Sequence, residues 1–286
     1  MHACEVSPVF GLPGNPAAAY VGFVRGVQGG GRGVARMKKR VAACLAALFA
    51  CAAAFCAFQL GGTLLEYRAG RREYAVLAQY SPVQAQNGAQ AADGETGGQL
   101  QADFEALRQI DENVVAWLYG PETPVNYPVV QAADNEYYLT HMFGKKKNSA
   151  GAIFVDAGCS PDFSDMHTIL YGHHMKNGTM FSSLTGYLQP GYYEQHPTLA
   201  LFTPQAAYTI RVFAGYVAAP DSDAWRRAFS SQQEFLQWCE AAARRSAFDS
   251  GLMPQPGQRV VTLSTCSYEF ENARFVLLGI LEQTSQ

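Results

Sequence analysis

A cysteine ends one apolar run near the C-terminus, and an arginine begins the next. The run Val260–Thr265 leads directly into Cys266, and Arg274 stands eight residues further on, before the run Phe275–Leu281. A thiolate is a strong nucleophile that needs a nearby base or cation, and a guanidinium stays charged and can donate to a developing oxyanion. A short hairpin would bring Arg274 beside Cys266, which indicates acyl-transfer chemistry. The alternative is a buried core cysteine, as most lone cysteines are.

Two adjacent histidines follow another apolar run. Thr168–Tyr171 leads through Gly172 to His173 and His174. Because consecutive residues of an extended chain face opposite ways, we expect only one of the pair to address the thiol. An imidazole shuttles protons near neutral pH, as the formation and breakdown of a thioester require. The alternatives are a metal pair or surface histidines, but neighbouring histidines on a strand are poor joint ligands and no HExxH spacing occurs.

These segments together resemble the class B sortases, a family of cysteine transpeptidases. The resemblance extends from about Phe104 to Leu281. Its two catalytic motifs are specific in combination, whereas either alone would be a moderate signal. The segments that carry it are Trp117–Leu118, Tyr127–Gln131, Asp134–Leu139, Gly151–Asp156, Tyr171–Lys176, Met180–Phe181, Thr262–Cys266 and Arg274–Val276.

The resemblance implies a role for each residue of this constellation. Cys266 takes the place of the nucleophile, His173 that of the catalytic histidine and Arg274 that of the active-site arginine. Ser264 and Thr265 precede the thiol and would line the substrate groove, with structural packing as the alternative. No metal and no cofactor is implied. Where the family more usually has Asn or Lys before its Tyr-Pro-Val-Val segment, this chain has Pro124-Val125-Asn126, a departure that concerns a groove wall rather than the catalytic trio.

The implied reaction joins a protein to an amine. The thiol would cleave a five-residue sorting signal of a surface protein after its threonine and form a thioester. An amine of a cell-wall precursor, or a lysine of a pilin subunit, would then take the acyl group. Net charge is −3, so no basic field points to nucleic acid as a partner.

Two other functions compete with this interpretation. A papain-like cell-wall cysteine hydrolase also uses Cys and His, but there the cysteine usually begins a helix and precedes its histidine. In this chain the cysteine ends a predicted strand and follows the histidine by 93 residues, from 173 to 266. A non-enzymatic binding barrel with a decayed site would lack one of the three residues, and all three are present.

The N-terminal part of the chain predicts a membrane anchor. From Val41 to Leu60 every residue except Gln59 is apolar, close to the ~20 residues that span a hydrocarbon core. The basic cluster 36–40 precedes this run and favours an extracellular C-terminal domain. We expect an upstream extension or cytoplasmic tail over 1–36, an anchor over 37–65 and a spacer over 66–99. A cleaved signal peptide and a lipoprotein signal at Cys51 are the alternatives.

The region 100–286 predicts a single, mainly β catalytic domain. Seven short β-branched or aromatic runs, separated by turn residues, indicate a closed barrel or sandwich; the family resemblance implies a closed eight-stranded barrel. Leu100–Leu118 predicts two short helices, or a helix and a turn. A capping box at Ser231 and Glu234 predicts a helix over 231–247, before the cysteine strand. The seven runs are 125–130, 152–155, 168–171, 199–203, 207–217, 260–265 and 275–281.

The remaining polar residues receive structural interpretations. His141, His167, His174 and His196 have no chemical partners apparent in the sequence and are expected at the surface or at strand ends. Cys159 and Cys239 are expected to be inert, and whether they pair with each other is open. The run 145–147 is a short lysine loop, expected to be solvated, with contact to an anionic wall polymer as the alternative.

Overall fold

The computed structural model describes residues 30–82 and 102–284, with side chains from residue 36 onward. The chain divides into two compact units, Met1–Leu60 and Gly61–Gln286. Residues 1–29 of the predicted extension and the second half of the predicted spacer, 83–99, lie outside the described residues.

The first element is a long helix, α1, over Gly30–Leu77. The helical stretch Arg36–Tyr80, which includes most of α1 and the turn after it, contains a window of mean hydropathy 2.4 and is, by length and composition, able to cross a membrane. The helix continues past the expected end of the anchor at residue 65. Within the second unit, Tyr74 and Leu77 are buried against the barrel, and the Tyr74 hydroxyl donates to the Gly151 carbonyl at 2.7 Å. A 3-10 turn, Ala78–Tyr80, follows.

Eight strands form a closed barrel, as predicted, in the order β1-β2-β3-β4-β7-β8-β6-β5. The pairs β2–β3 and β4–β7 are parallel, and the other neighbours are antiparallel. The strands are β1 Val114–Tyr119, β2 Asn126–Val130, β3 Ile153–Val155, β4 His167–Tyr171, β5 Thr198–Phe202, β6 Ala207–Ala218, β7 Arg259–Cys266 and β8 Arg274–Gln283.

The segment before the barrel differs from its prediction. A helix, α2, forms over Phe104–Ile110, and Asp103 caps it by accepting from the amide of Ala106 at 2.9 Å. The apolar stretch after it, expected to be a second helix or a turn, is strand β1. Its β-branched and aromatic side chains suit a pleated surface, and pairing with both β2 and β5 closes the barrel.

A helix covers one outer face of the barrel. This is α5, Gln232–Arg245, and Ser231 caps it by accepting from the amide of Glu234 at 3.2 Å, as predicted. The Glu234 carboxylate accepts from the amide of Ser230 at 2.7 Å, one residue before the position that a capping box requires. Phe235 and Trp238 lie in its buried stripe and pack on side chains of β6, β7 and β8. The smaller elements are α3 Tyr137–Thr140, α4 Tyr192–Gln195 and the 3-10 helices Ser182–Leu188 and Asp223–Trp225.

Candidate active site

Three neighbouring strands bring the predicted residues to one end of the barrel. β4 and β7 run in parallel with Tyr171, the last residue of β4, opposite Ser264, and His173 follows the end of β4 by two residues. On the other side of β7, Cys266 is the register partner of Arg274 at the start of β8. The order β4-β7-β8 therefore places the strand that ends in the nucleophile candidate between the strand that leads to the two histidines and the strand that begins with the arginine.

Strand alternation decides which way the thiol faces. In β7, Val261 and Leu263 belong to the barrel core, whereas Val260 packs under α5. Successive side chains of a strand point to opposite faces, so Cys266 shares the outer face with Val260. Arg274 shares that face as well, since Val276, two residues later, also packs under α5. Cys266 is only partly buried, because it stands at the open end of this face.

His173 is held by the backbone around it. Its Nε2 lies 2.7 Å from the Leu139 carbonyl oxygen, and because a carbonyl only accepts, Nε2 carries the hydrogen. In the neutral ring Nδ1 is then the basic nitrogen. The preceding Gly172 is required by close approach: a Cβ there would lie 2.5 Å from Ile153 Cδ1 and 2.6 Å from Phe181 Cδ2.

His174 turns the other way and contacts the cysteine residue itself. Its Nδ1 donates to the carbonyl oxygen of Cys266 at 3.0 Å, and its ring meets that of Tyr268 edge-on with 5.1 Å between centroids. The sequence indicated no chemical partner for His174, and the structure supplies two, the Cys266 carbonyl and the Tyr268 ring. The two imidazoles diverge, as the alternation argument required.

Arg274 is oriented by its own loop. Its Nη1 donates to the carbonyls of Asn272 and Ala273, both at 3.1 Å. Among the described residues it forms no ion pair with a carboxylate, which leaves the charge uncompensated within the protein and its other N–H groups able to donate to an anion.

Ser264 and Thr265 are both buried, at 3% and 2% exposure. The Ser264 hydroxyl accepts a hydrogen bond of 3.1 Å from the indole nitrogen of Trp225. Thr265 shares the interior face with Leu263, and its Oγ1 has no hydrogen-bond partner among the described groups. In this structure neither hydroxyl is open to a ligand.

A wall segment, Asp223–Ala228, runs across the outer face beside the thiol. Trp225 belongs to it, and Arg227 donates to the buried carboxylate of Asp156 at 3.0 Å. Asp156 also accepts from the Tyr171 hydroxyl at 3.0 Å, and burial followed by this neighbouring charge raises the pKa of that hydroxyl. Sequence reasoning missed Trp225, since nothing in its local pattern indicates which strand it crosses.

Comparisons with known proteins identify the family of this barrel. The sequence model of the sortase domain matches residues 118–281, more than half of the chain. The chain belongs to the sortase family. It is 32% identical to sortase B of Listeria monocytogenes over 193 residues, covering 67% of this chain and 78% of the relative.

Solved structures support the same assignment. A Staphylococcus aureus sortase B–substrate complex superposes with a TM-score of 0.68 at 29% identity, covering 77% of this chain and all of that one. A sortase B complexed with triglycine gives 0.67 at 28% identity, covering 76% and 99%. This sortase is thus a cysteine transpeptidase, of a family that acts on sorting-signal-bearing surface proteins and cell-wall amines.

The other thiols of this sortase's barrel unit are buried and poorly suited to react. Burial raises the pKa of Cys159 and raises that of Cys239 to about 12, so neither forms a thiolate near neutral pH. Both are free, which answers the question of their pairing. In the described part of the chain no group of three or more His, Cys, Asp or Glu side chains could hold a metal ion.

His167 opens β4, in agreement with the strand-end alternative of its prediction, and it does not lie at the surface. It is fully buried, with Nδ1 donating to the Arg226 carbonyl and Nε2 accepting from the Thr262 hydroxyl, both at 2.7 Å. Burial lowers the pKa of His167 to about 4, so the ring is neutral near pH 7. It joins β4 and β7 to the wall segment, because Arg226 follows Trp225.

The last expectations concern surface groups. His141 lies on the surface, stacked on Tyr137 with its Nδ1 2.9 Å from that residue's carbonyl. His196 caps α4, and its Nδ1 is buried. The lysine loop is exposed, as expected, although Lys145 pairs with Glu112 and Lys146 with Glu73.

Proposed function

We propose that this sortase cleaves a sorting-signal pentapeptide after its threonine, using Cys266 as nucleophile, His173 as acid and base, and Arg274 as oxyanion stabiliser. The observation that carries the proposal is the β4-β7-β8 arrangement: Cys266 is the register partner of Arg274, and β4, paired with β7 as far as Ser264, leads two residues later to His173.

The first half-reaction forms a thioester. The thiol proton of Cys266 moves to Nδ1 of His173, which gives a thiolate and an imidazolium. The sulfur attacks the carbonyl carbon after threonine, and Arg274 donates to the resulting oxyanion from N–H groups not used by its own loop. When the tetrahedral intermediate collapses, the C–N bond breaks, and the proton on Nδ1 passes to the leaving amine.

The second half-reaction resolves the thioester. An amine attacks the acyl carbon, His173 accepts its proton at Nδ1, and the C–S bond breaks to return Cys266. We propose an amine of the cell wall or of a pilin as the acceptor. The related sortase B complexed with triglycine supports a small peptide amine in that role.

In this proposal Ser264 contributes to substrate binding indirectly, without contacting the peptide. Because its hydroxyl is occupied by the indole of Trp225, it supports the wall that a peptide would meet. Thr265 contributes packing from the interior face.

The proposed location is the outer face of the cell membrane. The apolar part of α1, within 37–65, would be a single-pass anchor, with the basic cluster 36–40 on the cytoplasmic side. Residues 1–36 would be an upstream extension or tail, 66–99 a connection that begins as helix, and 100–286 the extracellular catalytic domain.

The full chain in detergent micelles, given a fluorogenic sorting peptide with and without an amine acceptor, tests the function. Wild type is expected to yield the amide product, and Cys266→Ala to yield neither transfer nor cleavage. Cys159→Ala is the matched control and is expected to stay active, because that thiol is buried. Cleavage without transfer would favour the cell-wall hydrolase, and cleavage by the Cys266→Ala variant would refute the proposal.

A further inference from the structure

The carbonyl oxygen of Cys266 completes a row of backbone acceptors that faces β4. In the parallel ladder the amide of Gly172 donates to the Ser264 carbonyl at 3.1 Å. Carbonyls two residues apart point the same way along a strand, so the carbonyl of Cys266 also faces β4. The amide of Ser267, on the opposite side, bonds the Ala273 carbonyl at 2.9 Å, in agreement with that alternation.

β4 has already ended at this level. The backbone donor that would continue the ladder is absent from it, and the Nδ1–H of His174 supplies the hydrogen bond instead, at 3.0 Å. A side chain thus extends the sheet by one hydrogen bond beside the nucleophile candidate. The ring of His173 does not bond the Cys266 carbonyl, since its Nε2 donates to the Leu139 carbonyl instead.

The same imidazole also contacts the β7–β8 loop, Ser267–Ala273. The ring of Tyr268 packs edge-on against it, and the Tyr268 hydroxyl lies 3.5 Å from the His174 carbonyl. Beyond the end of β4, His174 pairs with Met180 in an isolated bridge. Because Cys266 and Arg274 flank the two ends of this loop, the imidazole restrains the segment that sets their relative orientation.

We propose that His174 is a positioning residue of this sortase: it holds the Cys266 carbonyl and the β7–β8 loop, and it transfers no proton in the reaction. The inference rests on the proposed function, because it assigns the acid and base to His173. A carbonyl only accepts, so Nδ1 must carry a hydrogen, and it does so in both the neutral and the charged ring. A donor that does not titrate is therefore able to replace it.

Asparagine and glutamine make a matched pair for the test. Asn carries its amide nitrogen one bond from Cγ, where Nδ1 stands in histidine, whereas Gln carries it one carbon further out. In the full chain in detergent, we expect His174→Asn to keep kcat within about threefold, because the hydrogen bond is retained. We expect His174→Ala and His174→Gln to lose about tenfold in kcat, the equivalent of one hydrogen bond, with KM for the sorting peptide little changed.

A second measurement is independent of transfer. Because Cys44, Cys51 and Cys56 are also exposed thiols, alkylation by iodoacetamide is followed by mass spectrometry of the peptide that contains Cys266. The rate for that peptide across pH reports the Cys266 thiolate, and its midpoint should be the same in wild type, His174→Asn and His174→Ala. A shifted midpoint in His174→Asn would make His174 the proton carrier and overturn the proposal. The same conclusion would follow if His174→Asn lost as much activity as His173→Ala. Wild-type kcat in His174→Ala would also overturn it. A wild-type enzyme that makes no transfer product would instead refute the proposed function, while the alkylation result still judges His174.

Discussion

The indole nitrogen of Trp225 donates a hydrogen bond of 3.1 Å to the hydroxyl of Ser264, two residues before Cys266. This bond fastens the wall segment to the strand that carries the thiol. Three more contacts hold the segment: His167 to Arg226, Arg227 to Asp156 and Trp238 to the Asp223 carbonyl. Four contacts therefore hold the wall segment in place beside the thiol.

Removing the indole donor should weaken peptide binding more than chemistry. Trp225→Phe keeps an aromatic ring but loses a hydrogen bond that contributes about 1 kcal/mol. We expect KM for the sorting peptide to rise several-fold with kcat largely kept. Ser264→Ala should have a similar effect, and the double variant should be no worse than either alone, since both remove the same bond. Additive losses in steady-state kinetics would argue against a shared role.

Arg274→Lys should lower kcat by about 10²-fold or more, because an ammonium does not reproduce the planar fork of donors at the oxyanion. Arg259→Lys is the control, since Arg259 begins β7 at its other end and donates to the Phe163 carbonyl. Peptide-cleavage rates of the two variants give the comparison. Near-normal turnover in Arg274→Lys would leave that residue only a structural role.

Gly172→Ala should displace His173 from its position. The added methyl would lie 2.5 Å from Ile153 Cδ1, and overpacking of this kind costs about 1–3 kcal/mol. We expect lower kcat and a lower melting temperature. Ile153→Val in the same chain removes the nearest atom and should restore part of both; a double variant no better than Gly172→Ala would show that this contact is not the cause.

Thr265→Val should stabilise the fold. The Thr265 hydroxyl is buried without a partner among the described groups, and replacing it by a methyl of similar size removes a desolvation penalty of about 1 kcal/mol or more. Chemical denaturation of the full chain in detergent should show a higher midpoint, with activity kept. Ser264→Ala, which loses a satisfied hydroxyl, should show a lower one. A destabilised Thr265→Val variant would mean that the hydroxyl has an unrecognised partner.

Acid should destabilise the barrel through His167. Burial holds its pKa at about 4 in the folded state, below the ordinary 6.5, so the unfolded chain binds the extra proton first. Stability from this group is full above pH 6.5 and falls by about 3 kcal/mol between pH 7 and pH 4. His167→Asn retains a donor for the Arg226 carbonyl but does not titrate. Its stability deficit relative to wild type, measured by denaturation, should shrink as pH falls; a constant deficit would contradict the prediction.

Local patterns predicted most of the strands and the cysteine, histidine and arginine candidates, whereas the closed eight-stranded barrel was implied by the family resemblance. Short β-branched or aromatic runs between turn residues gave most strands, and a cysteine and an arginine at facing strand ends needed only a hairpin. β1 was misassigned because Val114–Leu118 has an ambiguous short pattern, and its partners in β5 are more than 80 residues away in the chain. His167 could not be recognised as buried, since its hydrogen-bond partners lie 59 and 95 residues along the chain.

The position of Cys266 as the final residue of β7 makes strand length itself a functional requirement. β7 is fixed on both sides by β4 and β8, so its pairing leaves no freedom to rotate. Deleting one residue between Val260 and Cys266 would preserve every chemical group yet turn the sulfur towards the sealed interior, where no polypeptide fits. Loops around the barrel therefore tolerate changes in size that the eight residues of this strand do not.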